Sequence, residues 1–438
     1  MKKSQIIRSD LKLLIVTAWY HPFIHPRAHR WTALSEYWAG EGHEVHVVCS
    51  RRRECPDETT LNGVRVHRVG FGALMEVFYY CFGGKSARGR VGAPVVAPGR
   101  LAGLANWLYN AIWKKIYFPD DACVWYLPAK NKVFQLLAQE QFDALITVSL
   151  PFTGHLVGLS AKRRYPNLFW LADTGDPFSM QPQPLNNRFL YGKKSRRLER
   201  LTLESADAAT VTTAPTLEKY RLVFGEKAVS AMRVIPPLLH PEPPDSPPRP
   251  SAGGSTLRIG YFGALYSPTR TPDAFLDLLE RTFIRRPALR GRTEAHFYGE
   301  IFPDFYKKMK AQGAVRLHGL RSREEVRAAM QNLDILLNIG NKSDFQLPSK
   351  AVEYRASGLP VAHLSYTDDD PFAAFFVGYP AFLRLRVKDD RVTEEDLQKW
   401  LAWLAGAYKT AGTAGLKNAA GPYLVAAVAK RYGDLLGI

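Results

Sequence analysis

The sequence predicts an α/β fold with two doubly wound, Rossmann-like domains that face a cleft. A strand–helix–strand pattern begins at residue 11, and a second α/β pattern begins at residue 257. Between them, residues 236–256 hold eight prolines followed by a Ser-Ala-Gly-Gly-Ser run, which is typical of a semi-rigid linker. At 438 residues, the chain is long enough for two domains.

Composition narrows the class of protein. A hydrophobic content of 46% and a charged content of 23% are normal for a folded, soluble protein. No apolar run is long enough for a transmembrane helix, and residues 11–16 predict a strand in place of a signal peptide. The four scattered cysteines form no C-x-x-C pair, which argues against a zinc site and favours the reducing cytosol. The formal charge of +18 indicates an anionic partner: a nucleic acid, a phosphorylated ligand or an acidic membrane face.

The first domain begins as a parallel sheet. Three apolar runs predict buried strands, at residues 11–18, 44–49 and 64–69. Trp31, Leu34 and Trp38 fall at helical spacing between the first two strands. This order is a strand–helix–strand unit, in which the two strands lie parallel.

The turn after the first strand is rich in basic and imidazole side chains, including His21 and Arg27. It faces the carboxyl edge of the sheet, where open α/β sheets bind ligands. The spacing offers a metal ion no carboxylate or cysteine partner. Contact with a phosphate or with the acceptor substrate is therefore favoured over metal binding, and plain solvent-facing polarity is an equal alternative.

Two later strands of this domain also end in polar residues. The strand at residues 142–149 leads to His155, and the strand at 168–172 leads to Asp173 and Asp176. A single histidine is more often structural, but its place at the ligand edge favours a functional role. The two carboxylates could orient a sugar hydroxyl, hold a basic side chain or cap a turn.

Two segments suggest an anionic docking surface. Residues 101–118 combine one aliphatic helical face with Trp, Tyr and Lys; this helix either packs on its own domain or lies in a membrane interface. Residues 193–200, KKSRRLER, form a basic run that predicts a solvated helix face. Such a face could add to a surface for anionic partners.

The second domain repeats the α/β pattern. A strand at residues 257–262 is followed by Gly263 in a tight turn, Arg270 in a loop and a helix from Pro272. Five further strands are predicted, at residues 295–298, 315–318, 333–339, 360–364 and 382–387. Two doubly wound domains joined by a hinge leave a cleft between the carboxyl edges of both sheets.

Residues 344–364, DFQLPSKAVEYRASGLPVAHL, predict a loop, a short helix and a buried strand. Ser349 is a suitable N-cap, and Gly358 ends the helix at its C-terminus. Lys350 opposes the helix macrodipole, whereas Glu353 agrees with it. A cation at this position is explained if a bound anion neutralises both the lysine and the helix end, or if the lysine simply points to water.

These motifs together resemble the GT-B glycosyltransferases, in particular the large retaining family 4 type. The opening unit LLIVTAWYHPF…HRWTALSEYWAGEGHEVHVVCS is similar to that of the family. PDDACVWYLPA, FDALITVSLPFTGH and WLADTGDPF resemble its polysaccharide and O-antigen branch. LRIGYFGALYSPTR and LPSKAVEYRASGLPVAHL resemble its donor domain, and no Rossmann or Walker motif competes with them.

The resemblance implies transfer of a sugar from a nucleotide diphosphate sugar, with the anomeric configuration retained. The donor would lie in the C-terminal domain at 257–419, and the acceptor in the N-terminal domain at 1–240, with the terminal helix at 420–438 crossing back onto it. Glu353 would hold the ribose, while Arg270 beside Gly263 would meet the diphosphate together with Lys350. The remaining implied roles are donor contacts at Ser349, Leu320 and Arg321, a catalytic polar group at His155, and acceptor contacts at His21, Arg27, Asp173 and Asp176. No metal ion and no cofactor are expected.

The chain departs from the family pattern at three places. Phe345 stands where the first glutamate of a Glu-x7-Glu pair is common. The first loop lacks the usual Gly-Gly, so side chains fill space where backbone often approaches the substrate. Residues 366–370, YTDDD, resemble the metal motif of another glycosyltransferase fold, but they follow a predicted strand and are interpreted as a loop.

Two other classes of protein are alternatives. The first is a non-catalytic protein that binds a membrane surface or a nucleic acid; nucleic acid is disfavoured because the basic residues are spread and no reading motif occurs. The second is a nucleotide-sugar epimerase or hydrolase on the same fold. The expected partners are a nucleotide sugar, a saccharide or lipid-linked acceptor and an anionic membrane surface, which places the protein in the cytoplasm, at the inner face of the plasma membrane.

Overall fold

The computed structural model describes residues 10–23, 25–52, 54–70, 114–181, 184–239, 256–267, 269–406 and 420–437. Described residues up to 239 and from 423 onward form a first compact unit, and those from 256 to 422 form a second. The helix predicted at 101–118 therefore lies mostly outside the described residues, as does most of the linker predicted at 236–256.

The first unit contains an eight-stranded sheet in the order β3-β4-β2-β1-β5-β6-β7-β8. Its strands are β1 (Lys12–Val16), β2 (Glu44–Ser50), β3 (Glu58–Leu61), β4 (Val64–Val69), β5 (Ala144–Ser149), β6 (Phe169–Thr174), β7 (Ala208–Val211) and β8 (Met232–Val234). All neighbouring strands are parallel except β3 and β4. The predicted parallel sheet is confirmed, with strand ends that shift by a few residues.

Helices cover both faces of this sheet. They are α1 (Pro26–Gly40), α2 (Lys114–Ile116), α3 (Tyr126–Gln139), α4 (Thr153–Arg164), α5 (Arg188–Ser205), α6 (Ala214–Phe224) and α7 (Glu226–Val229). Trp31, Leu34 and Trp38 of α1 are all buried, as their spacing predicted. They pack with the aliphatic side chains of β1 and β2 in one hydrophobic cluster.

The second unit contains a seven-stranded sheet in the order β11-β10-β9-β12-β13-β14-β15. Its strands are β9 (Leu257–Phe262), β10 (Thr293–Tyr298), β11 (Val315–Gly319), β12 (Ile335–Ile339), β13 (Val361–Ser365), β14 (Phe382–Lys388) and β15 (Arg391–Val392). Its helices are α8 (Asp273–Arg285), α9 (Pro303–Lys310), α10 (Arg323–Met330), α11 (Lys350–Ser357), α12 (Pro371–Phe375) and α13 (Glu394–Leu404). Only the β14–β15 pair is antiparallel among the described strands of this sheet.

The chain ends in α14 (Val425–Leu436), which belongs to the first unit. Its Tyr432 lies against α1, where the Tyr432 ring packs on Trp31 at 5.3 Å between centroids. The buried Arg30 of α1 donates to the Tyr432 hydroxyl at 3.0 Å and to the Pro236 carbonyl at 2.8 Å. Among the helices that the structure describes, none is both long and apolar enough to span a membrane.

Candidate functional site

Two loops of the second unit meet at the carboxyl edge of its sheet. The first follows β9 and contains Gly263 and Arg270, and the second follows β12 and contains Asn341. Tyr354 of α11 bridges β9 and β12, because its hydroxyl accepts from the Phe262 N–H at 3.0 Å and donates to the Leu337 carbonyl at 3.0 Å. The start of α11 therefore lies at the edge where open α/β sheets bind ligands.

Gly263 lets the backbone approach its neighbours closely. A Cβ atom at this position would lie 2.9 Å from the Tyr261 hydroxyl and 3.4 Å from a terminal nitrogen of Arg270. Gly299, after β10, has a φ of +129°, and a Cβ there would collide with the Gly263 carbonyl. A side chain at either position would push the loop outward, so both glycines are required by geometry.

Arg270 has hydrogen-bonding capacity that the described residues do not use. Its Nη2 donates to the Asn341 side-chain oxygen at 2.6 Å, while its Nε is buried and has no hydrogen-bond partner. No described carboxylate lies within ion-pair distance of this guanidinium. A buried cation that lacks both an anion and a full set of acceptors is unfavourable, so an external anion would complete it.

Ser343 also has a buried polar atom that lacks a hydrogen-bond partner among the described residues. It lies in the loop after β12, two residues beyond Asn341, and is 6% exposed. Its hydroxyl oxygen is buried without a hydrogen-bond partner among the described residues. Asn341 and Ser343 were not predicted as site residues, since a short polar loop carries no signal that separates ligand contacts from solvent contacts.

Lys350 and Glu353 face each other on the first turn of α11. The Lys350 ammonium lies 2.5 Å from the Glu353 carboxylate, and both side chains are partly exposed. Gly358 ends the helix with a φ of +73°, as predicted. The predicted cap by Ser349 is wrong in mechanism: Ser349 is at the N-cap position, but its backbone is helical and its side chain makes no capping hydrogen bond. The first amides of α11 thus lack a side-chain acceptor from this residue.

Leu320 and Arg321 follow β11 in an exposed loop. Leu320 is 38% exposed, and Arg321 lies 3.7 Å from Glu325. The Gly319 carbonyl accepts from the Gly299 N–H at 2.8 Å, which connects this loop to the one after β10. The backbone expected to contact the nucleobase therefore lies at the same edge as Gly263.

Asp173 is the centre of a buried hydrogen-bond network in the first unit. Only 2% exposed, it accepts from Arg27 at 3.0 Å, Trp31 at 3.1 Å, and the hydroxyls of Thr210 and Tyr432 at 2.7 Å each. Burial alone would raise the pKa of Asp173, but the nearby Arg27 and Arg30 guanidinium groups hold it below its usual value. Of the three predicted alternatives, holding a basic side chain is the one observed.

The other acceptor-side residues differ in exposure. The Arg27 guanidinium lies directly over Gly175, where a Cβ would collide with it. His21 is exposed in the turn after β1, and Asp176 is exposed just beyond Gly175. The structure therefore brings Arg27 and Asp173 together, and leaves the His21 and Asp176 side chains at the surface.

His155 is buried inside the first unit. Its ring nitrogens contact the Thr147 hydroxyl at 2.8 Å and the Thr174 hydroxyl at 3.3 Å. Burial lowers the pKa of His155 to about 3, so the imidazole is neutral at pH 7. In this conformation both nitrogens are bonded within the fold.

Asp120 is a buried carboxylate that was not predicted from the sequence. It accepts from the Thr153 N–H at 3.0 Å and hydroxyl at 2.6 Å, and from the Ala122 N–H at 3.1 Å. These bonds satisfy the start of α4, which the sequence could not indicate because the two residues are 33 positions apart. Burial, together with the neighbouring Asp121, raises the pKa of Asp120 to about 7.

Among the described residues, one group could offer ligands to a metal ion: Glu44, His46 and Glu140. Lys12 lies between the two carboxylates, 3.0 Å from Glu44 and in contact with Glu140. Because Lys12 and Glu44 begin β1 and β2, this cluster is at the amino edge of the sheet, opposite to the polar residues described above. The Lys12 ammonium and the Arg65 guanidinium, 3.1 Å from Glu44, already offset the charge of these two carboxylates.

Part of the chain matches the model of a known protein family. Residues 28–237 match the family model described as a glycosyl transferase 4-like domain. No curated protein is significantly similar in sequence. The match covers most of the first unit, including His155, Asp173 and Asp176, and begins one residue after Arg27.

Solved structures resemble the whole chain in fold. Sucrose-phosphate synthase from Thermosynechococcus elongatus aligns with a TM-score of 0.64 and 15% identity, over 97% of this chain and 98% of that one. HepE from Anabaena, solved with UDP and glucose, aligns with a TM-score of 0.58 and 13% identity, over 98% of this chain and 99% of that one. WaaG, a glycosyltransferase involved in lipopolysaccharide biosynthesis, aligns with a TM-score of 0.57 and 13% identity, over 97% of this chain and 99% of that one. The chain thus contains a glycosyl transferase 4-like domain and has the fold of the GT-B glycosyltransferases.

Proposed function

We propose that the protein is a retaining glycosyltransferase that moves a sugar from a nucleotide diphosphate sugar to a polysaccharide or lipid-linked acceptor. The observation that carries this proposal is Arg270. Its guanidinium lies at the carboxyl edge of the second sheet, and the described residues offer its buried Nε no hydrogen-bond partner and the group no carboxylate. A diphosphate supplies both the charge and the acceptor oxygens that this group lacks.

The residues around Arg270 suit the rest of a donor. The start of α11 offers amides and the Lys350 ammonium to a phosphate, and Glu353, in the same turn, can accept from two ribose hydroxyls. HepE has been solved with UDP-glucose, and a protein of the same fold from Escherichia coli, described as trehalose-6-phosphate, has been solved with UDP-2-fluoro glucose. By analogy with these proteins of the same fold, we assign the nucleobase to the backbone at Leu320 and Arg321, and the phosphates to Gly263, Ser349 and Lys350.

The chemistry follows from where charge develops. As the bond between the sugar and the nucleoside diphosphate breaks, negative charge grows on the departing phosphate oxygen. Fixed cations and helix amides stabilise that charge without having to reorganise, and this lowers the barrier. We assign this role to Arg270 and Lys350 in place of a metal ion. Hexosyl transfer with retention is the form of the reaction that we propose.

On the acceptor side, the first unit offers a rigid polar edge. Asp173 fixes the guanidinium of Arg27 over Gly175, and His21 and Asp176 are exposed on the loops beside it. We propose that Arg27, His21 and Asp176 contact the acceptor, with Asp173 as the positioning group. We retain His155 as a proposed catalytic polar group, which would require its bond to Thr147 or Thr174 to open.

Transfer can be tested directly with radiolabelled donors. The purified protein would be incubated with UDP-, GDP-, ADP- and dTDP-sugars and a cell-envelope extract. Donor-dependent label in polymer or lipid, with Arg270→Gln inactive, would support the proposal. Free sugar or an isomerised nucleotide sugar formed without acceptor would instead indicate a hydrolase or an epimerase. If none of the donors is turned over, an enzymatic function is contradicted.

A further inference from the structure

The start of α5 carries an apolar surface that no part of the proposed reaction uses. Phe189 is 95% exposed, Leu190 is 56% exposed, and Ile116 of the neighbouring turn is 52% exposed. We call these three residues the Phe189 face. Large apolar side chains gathered at one exposed place usually mark an interaction site, whereas single ones do not.

The Phe189 face is held rigidly. The Asn187 side chain caps α5 by accepting from the N–H groups of Phe189 and Leu190. The Tyr191 hydroxyl donates to the Ile116 carbonyl at 2.8 Å, and the Asn187 amide donates to the Lys115 carbonyl at 3.3 Å. The apolar side chains are therefore presented by a helix turn fastened to its neighbour and not by a frayed end.

Cations surround these side chains. Residues 188–198 contain five basic residues and no acidic one. The exposed ones around the Phe189 face are Lys115, Arg188, Lys193, Lys194, Arg196 and Arg197. None of them forms an ion pair with a carboxylate among the described residues. The nearest acid in sequence, Glu199, is buried and accepts from Phe178, Ser179 and Tyr220.

We propose that the Phe189 face docks on an anionic membrane surface. Phe, Leu and Ile would enter the boundary between headgroups and acyl chains, where burial of apolar side chains is favourable. The surrounding Lys and Arg side chains would add electrostatic attraction to an anionic surface. A nucleic acid would use the cations but would leave Leu190 and Ile116 in water, because bases stack on aromatic rings and not on aliphatic chains.

The place of this surface in the fold connects it with the acceptor. Helix α5 follows β6, whose last residues include Asp173, so α5 starts at the carboxyl edge of the first sheet. A protein docked through the Phe189 face would hold this edge at the headgroup level. That orientation, which rests on the proposed function, favours a lipid-linked acceptor over a free polysaccharide.

Vesicle binding tests the proposal. The wild-type protein should co-sediment with vesicles of phosphatidylcholine and phosphatidylglycerol at 70:30, a mixture of roughly the anionic content that recruits basic surfaces, and it should be released by salt. The double variant Phe189→Ser/Leu190→Ser should partition at least about tenfold more weakly. Ile284→Ser is the matched control, because Ile284 is 69% exposed beside Arg285, which Glu394 neutralises. This control should bind as the wild type does.

A second measurement detects insertion itself. Tryptophan emission of Phe189→Trp should shift to the blue on addition of the anionic vesicles, whereas that of Ile284→Trp should not. Absence of wild-type binding to the vesicles, equal binding of the double variant, or self-association or RNA binding that requires the same two residues would overturn the proposal. Nucleotide affinity of the double variant should be unchanged; vesicle binding without nucleotide binding would contradict the proposed function alone.

Discussion

Replacing Arg270 by glutamine tests the role of the uncompensated guanidinium. The change removes the positive charge and the Nε donor but leaves a polar side chain that can still reach toward Asn341. Nε has no hydrogen-bond partner among the described residues, and of the five guanidinium N–H groups only those directed at Asn341 and Tyr261 are used, so we assign two charge-assisted hydrogen bonds to the diphosphate. Each such bond contributes about 1.5–3 kcal/mol to binding. Loss of the existing hydrogen bond to Asn341 affects the free and the bound protein alike, so it does not change the ligand affinity.

The expected loss of diphosphate affinity is about 2–4 kcal/mol, which allows for partial replacement by water. This corresponds to a dissociation constant weaker by roughly 30- to 700-fold, because each 1.4 kcal/mol is a factor of ten. The corresponding nucleoside, which has no phosphate, should lose less than about threefold. Calorimetric titration of both ligands into wild type and Arg270→Gln measures the difference.

The matched control is Arg258→Gln. Arg258 lies at the amino end of the second sheet, near the start of β9, and lies 3.8 Å from Glu294. Its replacement should leave both affinities unchanged. Equal losses of nucleoside and nucleoside diphosphate in Arg270→Gln would refute the phosphate role, because they would indicate a general distortion of the loop.

Three further outcomes are expected. Lys350→Gln should weaken nucleoside diphosphate binding by about tenfold in the same titration, while unfolding changes by less than about 1 kcal/mol because its ion pair is partly exposed; unchanged binding would remove Lys350 from the site. The His155 pKa of about 3 lies below its value in the unfolded chain, so this group's contribution to the free energy of unfolding is present above pH 6.5 and is lost as the pH falls. Between pH 7 and 5 the wild type should therefore lose about 2 kcal/mol of unfolding free energy through His155. Urea unfolding of His155→Gln should show a pH-dependent loss that is smaller by this amount. Asp173→Ala should destabilise the first unit by about 3–5 kcal/mol, because Arg27 and Tyr432 lose their acceptor; a loss below about 1 kcal/mol by tryptophan fluorescence would contradict the network.

Much of the fold follows from apolar runs in the sequence. The strands that flank Gly263 and Lys350 were predicted because parallel strands buried on both faces have continuous apolar sequences. The β3–β4 hairpin was not predicted, although Asn62 and Gly63 have φ values of +46° and +83° and form a typical Asn-Gly turn. That signal was present, but the flanking residues of β3 are polar and half-exposed, so they produced no apolar run.

The site was predicted where residue type and position agree. Arg270 follows a strand and a glycine, and its buried Nε has no hydrogen-bond partner among the described residues. Asn341 and Ser343 could not be chosen, since their role depends on which side chains the fold places beside them. The burial of Asp173 and Asp120 also depends on distant partners, namely Tyr432 and Thr153. Local sequence carries no record of such pairings.

The most direct test of the account is a calorimetric comparison of wild type with Glu353→Ala across UDP, GDP, ADP and dTDP. We predict that the wild type binds at least one of these diphosphates, and that Glu353→Ala weakens this binding at least about tenfold while the protein remains folded. Glu294→Ala, at the start of β10 on the opposite edge of the sheet, should bind as the wild type does. Absence of binding by the wild type, or equal binding by Glu353→Ala, would contradict the assignment of this edge as the donor site.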